Sequence, residues 1–216
     1  MTARELPPLQ ALGLFPTRVY AFDLEPERIE TLNAHMAAEV DRLLTPRPKV
    51  LPGQTWQTHH DLHRRPAFRP FLEVVEAAAA HVAADMKLLQ TKLVVTGCWA
   101  NVNPPGLSHN AHNHPNNLLS GVYYVATGEG ADTIVFSDPR PQVLRVLPRF
   151  VEANAHNAQD LNIPAPEGRL LIFPGWAVHA VPGNRSGRER ISISFNLMFP
   201  DYETGAARPT WQGAGA

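Results

Sequence analysis

The chain has 216 residues, of which 44% are hydrophobic and 18% are charged, so it can bury a core and is too apolar to be a disordered segment. Its 19 basic and 20 acidic residues leave a formal net charge of −1, which argues against nucleic acid or an anionic membrane as a partner. The single cysteine, Cys98, excludes an internal disulfide. The opening "MTARELPPLQALGLFPT" has neither a signal-peptide pattern nor a membrane-length apolar run. We therefore expect a cytoplasmic protein.

The first part of the chain, residues 1–90, has the apolar spacing of helices. Hydrophobic residues recur mostly at steps of three or four, which places them on one helix face. Pro46 ends the first stripe and Pro66 precedes the second. The first stripe consists of Ile29, Leu32, Met36, Val40, Leu43 and Leu44, and the second of Phe68, Phe71, Leu72, Val75, Ala79, Val82, Met86 and Leu89. We predict two amphipathic helices.

Residues 91–200 consist of short β-rich runs separated by Gly, Pro, Asn and Asp. The main runs are "KLVVTGCWANVN", "LLSGVYYVA", "DTIVFSD", "GRLLIFP" and "RISISFNLMF". Two helices followed by strands alone predict a mainly β fold, a jelly roll with the N-terminal helices packed on its sheet. We expect a single domain over residues 1–216, in which 201–216 form a C-terminal tail.

Alternation assigns the side chains of two of these runs to opposite faces, because successive side chains of a strand point to opposite sides. One face carries Trp99, Asn101 and Asn103 in "CWANVN" and Arg190, Ser192, Ser194 and Asn196 in "RISISFNL". Ile191, Ile193 and Phe195 lie on the other face of the last run, which is typical of core packing. From periodicity alone, the polar face could simply be exposed to water.

Two histidines in alternation, His112 and His114, precede the apolar run "LLSGVYYV". On an extended strand they point to the same face, which is how a chelate for a metal ion is built. His109 is off this parity, and we interpret it as a surface histidine with ordinary hydrogen-bond partners. His81 and His156 have no partner at ligand spacing and are interpreted in the same way.

The segment "THHDLH" offers an alternative metal site. Its His59-x-Asp61 spelling includes a carboxylate, and His63 follows. This segment lies between the two predicted helices, and no "SGVYY"-type strand follows it. We therefore expect it to make polar loop contacts.

Five motifs, taken in order, carry a resemblance to a known family. They are His112-x-His114, "SGVYYV", Asp138-Pro139-Arg140, "GRLLIFPGWAVHAV" and "RISISFN". In this combination the chain resembles the Fe(II)- and 2-oxoglutarate-dependent oxygenases, and more narrowly a bacterial subfamily with an H-x-H motif. The resemblance covers about residues 96–200.

The resemblance implies a double-stranded β-helix that holds Fe(II) in its open mouth. Carried over by position, His112 is the first iron ligand and His179 the distal one. Arg190 follows His179 by 11 residues, which is where the family places the arginine that binds the far carboxylate of 2-oxoglutarate. Ser192 follows on the same face and can add a hydrogen bond.

Position 114 departs from the superfamily, which has Asp or Glu there. His114 is a suitable ligand for a first-row metal and gives a three-histidine site. The alternative third ligand is a carboxylate such as Asp138.

The resemblance further implies that 2-oxoglutarate and dioxygen are consumed while an unactivated C–H bond is oxidised. Hydroxylation is the default outcome, and desaturation or ring closure stays open. We expect a small, amino-acid-like substrate and leave a homodimer open. The candidate substrate contacts are Trp99, Asn101, Asn103, Tyr123, Tyr124 and Arg140, the last as a partner for a substrate carboxylate.

Two alternatives of other classes remain at the level of sequence. The first is a three-histidine, cupin-type dioxygenase that does not use 2-oxoglutarate and whose Arg190 binds the substrate carboxylate. The second is a non-catalytic jelly-roll binding module.

Overall fold

A computed structural model of the protein describes residues 8–47, 49, 54–140 and 148–202. Most of the predicted C-terminal tail, residues 203–216, therefore lies outside the described residues. In chain order the elements are β1 (Tyr20–Asp23), α1 (Pro26–Leu44), β2 (Trp56–Gln57), 3₁₀ turns at Leu62–Arg64 and Pro66–Phe68, α2 (Arg69–Asp85), β3 (Val94–Asn103), β4 (His109–His112), β5 (Leu119–Ala126), β6 (Thr133–Ser137), β7 (Asp160–Pro164), β8 (Arg169–Pro174), β9 (His179–Val181) and β10 (Arg190–Met198).

The strands form two facing sheets. One has six strands in the order β1-β8-β5-β10-β3-β2, and the other has four in the order β4-β9-β6-β7. The paired strands run antiparallel throughout the described ladders. This arrangement is a double-stranded β-helix with helices on the outer face of its larger sheet, and the predicted fold class is confirmed.

The two helices pack on the outer face of the six-stranded sheet. Their buried side chains recur at helical spacing, and they meet Ile193 and Phe195 of β10 in one hydrophobic core. Each fully buried aliphatic side chain contributes about 1.5–3 kcal/mol to folding. The second stripe was predicted too long, because α2 ends at Asp85 and Leu89 is fully exposed beyond it.

The N-terminal part also contributes strands, which the helical spacing did not predict. β1 pairs with β8 at one edge of the large sheet, and β2 pairs with β3 at the other edge. β2 and the residues after it therefore lie beside Trp99 and Asn101 of β3. None of the described helices is long and apolar enough to cross a membrane.

The inner face of the large sheet looks toward the four-stranded sheet. Here a second, smaller hydrophobic core includes Tyr124 of β5, Phe136 of β6 and Phe173 of β8. The polar positions of β10 share this face, as the alternation of "RISISFNL" predicts. They line a cavity between the sheets instead of facing bulk water.

Candidate metal centre

Three histidines converge at the inner face of the smaller sheet. One potential ligand atom from each of His112, His114 and His179 lies within 4.8 Å of the other two. Their ring centroids are 4.4 Å apart for the pair His112 and His179, and 5.2 Å apart for each pair that includes His114. Among the described residues, this is the one cluster of three or more histidine, cysteine or acidic side chains arranged to hold a metal ion.

Hydrogen bonds to the backbone orient two of these rings. The Nδ1–H of His112 donates to the carbonyl of Asn110 at 2.8 Å, and that of His179 donates to the carbonyl of Ala177 at 3.0 Å. A carbonyl can only accept, so each ring carries its proton on Nδ1 and leaves the Nε2 lone pair available. Such bonds on the far side of a ring fix its tautomer and orientation toward a metal.

Burial favours the neutral form of two of the clustered imidazoles, His114 and His179. It lowers the pKa of His179 to about 4, an effect that the Ala177 carbonyl only partly opposes. Burial also lowers the pKa of His114 to about 4, with a smaller contribution from the neighbouring histidines. Both rings therefore offer lone pairs at neutral pH, which is the protonation state that metal binding requires.

Strand pairing brings His112 and His179 together. The two residues are register partners between β4 and β9, although 66 residues of chain separate them in sequence. The sequence predicted that His112 and His114 lie on one strand, which is wrong: β4 ends at His112, and His114 lies just after the strand. Its amide donates to the carbonyl of Gly175 at 2.8 Å, which anchors the segment. A Cβ at Gly175 would lie 2.4 Å from the Asn117 carbonyl oxygen, so this close approach requires glycine.

The cluster opens into a cavity of about 270 Å³ between the two sheets. Aromatic rings pack behind the ligands, with Phe173 at 4.8 Å and Phe136 at 5.9 Å from the ring centroid of His179. The lining side chains include no carboxylate in the part of the chain that the structure describes. They are Gln57, His60, Trp99, Asn101, His109, His112, His114, Gly121, Val122, Tyr124, Ile134, Phe173, His179, Val181, Arg190, Ser192, Ser194 and Asn196.

Arg190 lies in this cavity and is only 2% exposed. No ion pair joins it to a carboxylate of the described residues, and its Nε has no hydrogen-bond partner among them. Its guanidinium lies over the ring of Tyr124, 5.2 Å from the centroid. Burial lowers the pKa of Arg190, yet a guanidinium stays charged at any ordinary pH. A buried cation without a counter-ion is costly, so this geometry favours an anionic ligand.

Several polar atoms around Arg190 also lack partners among the described residues. They are the hydroxyl of Tyr124 and both side-chain amide atoms of Asn103, which is the register partner of Arg190 on β3. Ser192, buried next to them, lines the cavity as predicted. Native proteins pair almost all buried polar groups, so a cluster of unpaired ones indicates a bound polar ligand or water.

The predicted substrate contacts divide into two groups. Trp99, Asn101 and Tyr124 line the cavity, whereas Asn103 is buried beside it. Tyr123 points to the opposite face of the sheet, where its hydroxyl donates to Asn33 Oδ1 at 2.6 Å. The structure therefore does not bring Tyr123 to the cavity, because adjacent residues of a strand face opposite sides.

Arg140 is also outside the group of cavity-lining residues. Its guanidinium is exposed and binds the carboxylate of Asp138 through two nitrogens, at 2.5 Å and 2.9 Å for the closest contacts. That pairing lowers the pKa of Asp138. Asp138 is not a member of the histidine cluster, so the carboxylate considered as an alternative third ligand is committed to an arginine in this structure.

Three polar residues, His109, His60 and Gln57, line the cavity although the sequence did not assign them to its face. His109 lines it and bonds Thr55 Oγ1 at 3.0 Å, and burial lowers the pKa of His109 to about 4. His60 and Gln57 lie at the mouth, with the ring of His60 stacked on Trp99 at a centroid distance of 4.3 Å. A β-irregularity between His109 and His112 removes the parity on which the surface assignment of His109 rested.

The carboxylate of the "THHDLH" segment does not approach the cluster. Asp61 forms a two-nitrogen contact with Arg65 at 3.1 Å and 3.2 Å, and this contact lowers the pKa of Asp61. His63 has a buried Nδ1 without a partner among the described residues, and burial lowers its pKa. Of this segment, only His60 lines the cavity.

The core of the chain matches the model of a known protein family. Residues 97–196 match the model of a family described as "Putative 2OG-Fe(II) oxygenase". The matched core is therefore similar to the 2OG-Fe(II) oxygenases, over 100 of the 216 residues. The matched range begins at Gly97 on β3 and ends at Asn196 on β10, so it spans all three clustered histidines and Arg190. Among curated protein sequences, none matches the chain.

Solved structures share the fold at low sequence identity. The epimerase SnoN, solved in complex with Fe³⁺, α-ketoglutarate and nogalamycin RO, is 15% identical with a TM-score of 0.60, over 93% of this chain and 88% of SnoN. The carbocyclase SnoK from nogalamycin biosynthesis is 13% identical with a TM-score of 0.60, over 93% and 90%. A Pseudomonas putida prolyl-4-hydroxylase is 15% identical with a TM-score of 0.57, over 84% and 92%. At these identities the likeness establishes the fold.

Proposed function

We propose that this protein is a non-haem Fe(II)- and 2-oxoglutarate-dependent oxygenase that oxidises an unactivated C–H bond of a small polar molecule, with hydroxylation as the default outcome. One observation carries the proposal: a single cavity holds three clustered histidines and a buried arginine that lacks a carboxylate partner among the described residues. The family of the core and the ligands bound to SnoN support it.

The donor set suits a first-row transition metal. Imidazole nitrogen is a good ligand for Fe(II), and one face of three such ligands leaves room for a cosubstrate and dioxygen. His112, His114 and His179 would hold the ion. When bound, iron supplies the redox chemistry that couples decarboxylation of 2-oxoglutarate to oxidation of a C–H bond.

Arg190 would bind the far carboxylate of 2-oxoglutarate. A guanidinium can donate two parallel hydrogen bonds to a carboxylate, and the Ser192 hydroxyl can add another. The Tyr124 hydroxyl and the Asn103 side-chain nitrogen, which lack partners among the described residues, could donate to the same carboxylate. A carboxylate bound by these residues, which we call the carboxylate pocket, would lie at one end of the polar face of β10.

The balance of charge supports a dianionic cosubstrate. Three neutral histidines leave the two positive charges of the metal uncompensated, and Arg190 adds a third positive charge in the same cavity. No lining carboxylate offsets them among the described residues. The two carboxylates of 2-oxoglutarate would neutralise most of this excess, which a low-dielectric cavity makes important.

Oxygen uptake and succinate release test the proposal directly. The protein loaded with Fe(II) should release succinate from 2-oxoglutarate slowly without substrate, and His112→Ala should abolish the release. Asp61→Asn, which alters the other histidine-rich segment, is the matched control and should release succinate at the normal rate. Iron-dependent oxygen uptake that does not require 2-oxoglutarate would contradict the proposal and favour a three-histidine, cupin-type dioxygenase.

A further inference from the structure

Four residues on one wall of the cavity form a continuous chain of hydrogen bonds, which begins at the mouth of the cavity. His60 Nε2 contacts Gln57 Oε1 at 3.2 Å, and Gln57 Nε2 donates to Asn101 Oδ1 at 2.8 Å. Asn101 Nδ2 then donates to Ser194 Oγ at 3.1 Å. We call these four residues, together with Trp99, the polar wall. All five line the cavity.

The chain of bonds fixes which atoms of the polar wall remain available. Gln57 uses its amide nitrogen toward Asn101, so its oxygen must accept from His60 and His60 carries a proton on Nε2. Ser194 accepts from Asn101, and its own hydroxyl proton donates to no described residue. The inner end of the polar wall therefore presents a free hydroxyl donor to the cavity.

Local backbone pairing holds the polar wall rigid. Gln57 is the register partner of Asn101 on β3, and Ser194 is the register partner of Trp99. Beyond β2, the amide of Cys98 donates to the carbonyl of His60 at 3.1 Å, which keeps the segment alongside β3. The ring of His60 stacks on Trp99 with an interplanar angle of 13°, and Trp99 packs against His114 at 5.7 Å.

The polar wall and the carboxylate pocket lie at different places on the same strands. Arg190 pairs with Asn103, whereas Ser194 pairs with Trp99. Arg190 and Ser194 lie four positions apart on β10, which is about 13 Å at the usual rise. A molecule the size of 2-oxoglutarate anchored at Arg190 would therefore leave the polar wall open to a second molecule.

The polar wall carries no formal negative charge. Among the described residues that line the cavity there is no Asp or Glu, and the two nearby carboxylates, Asp61 and Asp138, are committed to Arg65 and Arg140. A substrate ammonium group would therefore enter without a counter-ion, which is unfavourable in a cavity that lies between two sheets and already holds the Arg190 cation. A substrate carboxylate would have to compete for Arg190, which alone carries a permanent charge among the described residues that line the cavity.

We propose that the polar wall is the substrate-recognition surface and that it selects an uncharged molecule bearing hydroxyl or amide groups, in preference to a free amino acid. This inference rests on the proposed function and names its substrate class. Ser194 donates to an oxygen of the substrate, and the stack of Trp99 and His60 forms one side of the entrance. Neutral hydrogen-bonding groups of the substrate match the neutral amides and hydroxyl of the wall.

Matched pairs of compounds test the charge selection on the full chain loaded with Fe(II) and 2-oxoglutarate. The neutral members are N-acetylglucosamine, other monosaccharides, polyols and N-acetyl amino-acid amides; the charged members are glucosamine, free amino acids and alkylamines. Substrate binding is read anaerobically as a change in the visible iron–2-oxoglutarate band, and turnover as succinate release above the substrate-free rate. At least one neutral compound should bind, and at least about tenfold more tightly than its ammonium counterpart.

Variants then locate the recognition on the polar wall. Ser194→Ala should weaken binding of the active neutral compound by about tenfold, a difference of about 1.4 kcal/mol, while the KM for 2-oxoglutarate stays unchanged. His60→Phe keeps a ring on Trp99 but breaks the first hydrogen bond, and it should weaken the same binding less than Ser194→Ala does. Asp61→Asn, adjacent in sequence but outside the cavity lining, should change neither quantity.

Three results would overturn the inference: binding of no neutral compound, equal or tighter binding of the ammonium members, or unchanged affinity in both wall variants. Substrate-free succinate release separates these results from failure of the proposed function. If that release occurs and the panel fails, the substrate class is wrong. If it does not occur and 2-oxoglutarate does not bind, the proposed function itself is wrong.

Discussion

Two segments of the chain carry three histidines each, residues 59–63 and 109–114, and they have different roles in the structure. Both segments lie beside the same cavity. The first contains a His-x-Asp motif, His59-x-Asp61, which is the commoner order for an iron site. Only the second supplies rings to the metal-binding cluster, because β4 pairs with β9 and meets His179 there. In the first, Asp61 is held by Arg65.

The difference shows that strand pairing brings the three histidines together. The local order of residues does not predict which segment joins such a cluster. Residues 109–114 gain a third imidazole from a distant part of the chain, and backbone carbonyls orient His112 and His179. Residues 59–63 have no such distant partner and run along β3, where His60 stacks on Trp99. One segment is arranged to hold a metal ion, and we infer that the other helps to recognise the substrate.

We expect the largest effect on metal binding at His179. His179→Ala removes a buried, oriented ligand, so we expect Fe(II) affinity to fall more than about 100-fold, beyond the usual effect of losing an outer partner. Anaerobic titration calorimetry with Fe(II) measures this. Asp61→Ala, in the other segment, should bind Fe(II) as the unaltered protein does. The opposite ranking of the two variants would move the metal to residues 59–63.

Substitution of Arg190 distinguishes binding of the cosubstrate from binding of the metal. Arg190→Met should retain Fe(II), while the affinity for 2-oxoglutarate falls by about 2–5 kcal/mol, the usual cost of removing one partner of a buried, hydrogen-bonded charge pair. The KM for 2-oxoglutarate in the succinate assay reports the change. Unchanged dependence on 2-oxoglutarate in this variant would remove Arg190 from the cosubstrate site.

His114 tests whether the second segment supplies two ligands or one. His114→Asp should keep Fe(II) and restore the commoner set of two histidines and one carboxylate, whereas His114→Gly should weaken Fe(II) binding by at least about tenfold. His114 would hold the metal at the ligand position that a halide would need, so we expect no chlorinated product from the unaltered protein. Full Fe(II) affinity in His114→Gly would show that His114 is not a ligand.

The smallest effect is the pH dependence of the metal-free protein. The pKa of His179 is about 4 in the folded chain against an ordinary value of 6.5, so the unfolded chain binds the proton first and stability falls as the pH drops through this window. From pH 7 to pH 5 the loss is about 1–2 kcal/mol. Urea unfolding at the two pH values should show this loss in the unaltered protein and a smaller one in His179→Gln.

The sequence predicted those parts of the site that depend on strand alternation within one run. The parity of "RISISFNL" placed Arg190, Ser192 and Ser194 on the cavity face, where the structure has them. Parity could not choose between Tyr123 and Tyr124, because it does not say which face is inside. The fold class followed from helices preceding strands, whereas β1 and β2 were too short to stand out beside the helical stripes.

The remaining site residues depend on contacts that no local pattern encodes. The irregularity between His109 and His112 changes the direction of His109, and the pairing of residues 56–61 with β3 brings Gln57 and His60 to the cavity mouth. Arg140 is the converse case, since it was predicted at the site and lies outside the group of cavity-lining residues. Its charge suggested a substrate carboxylate, but Asp138, two residues away, already neutralises it.

We infer that His112, His114, His179 and Arg190 form one site for Fe(II) and 2-oxoglutarate. Anaerobic titration of the protein with both ligands, followed by visible absorption, tests it most directly. A charge-transfer band requires 2-oxoglutarate to chelate the bound iron. We predict that the band appears at one equivalent of each ligand, is lost in His179→Ala, and requires far more 2-oxoglutarate in Arg190→Met. Binding of both ligands without a band would contradict the account, because they would then occupy separate sites.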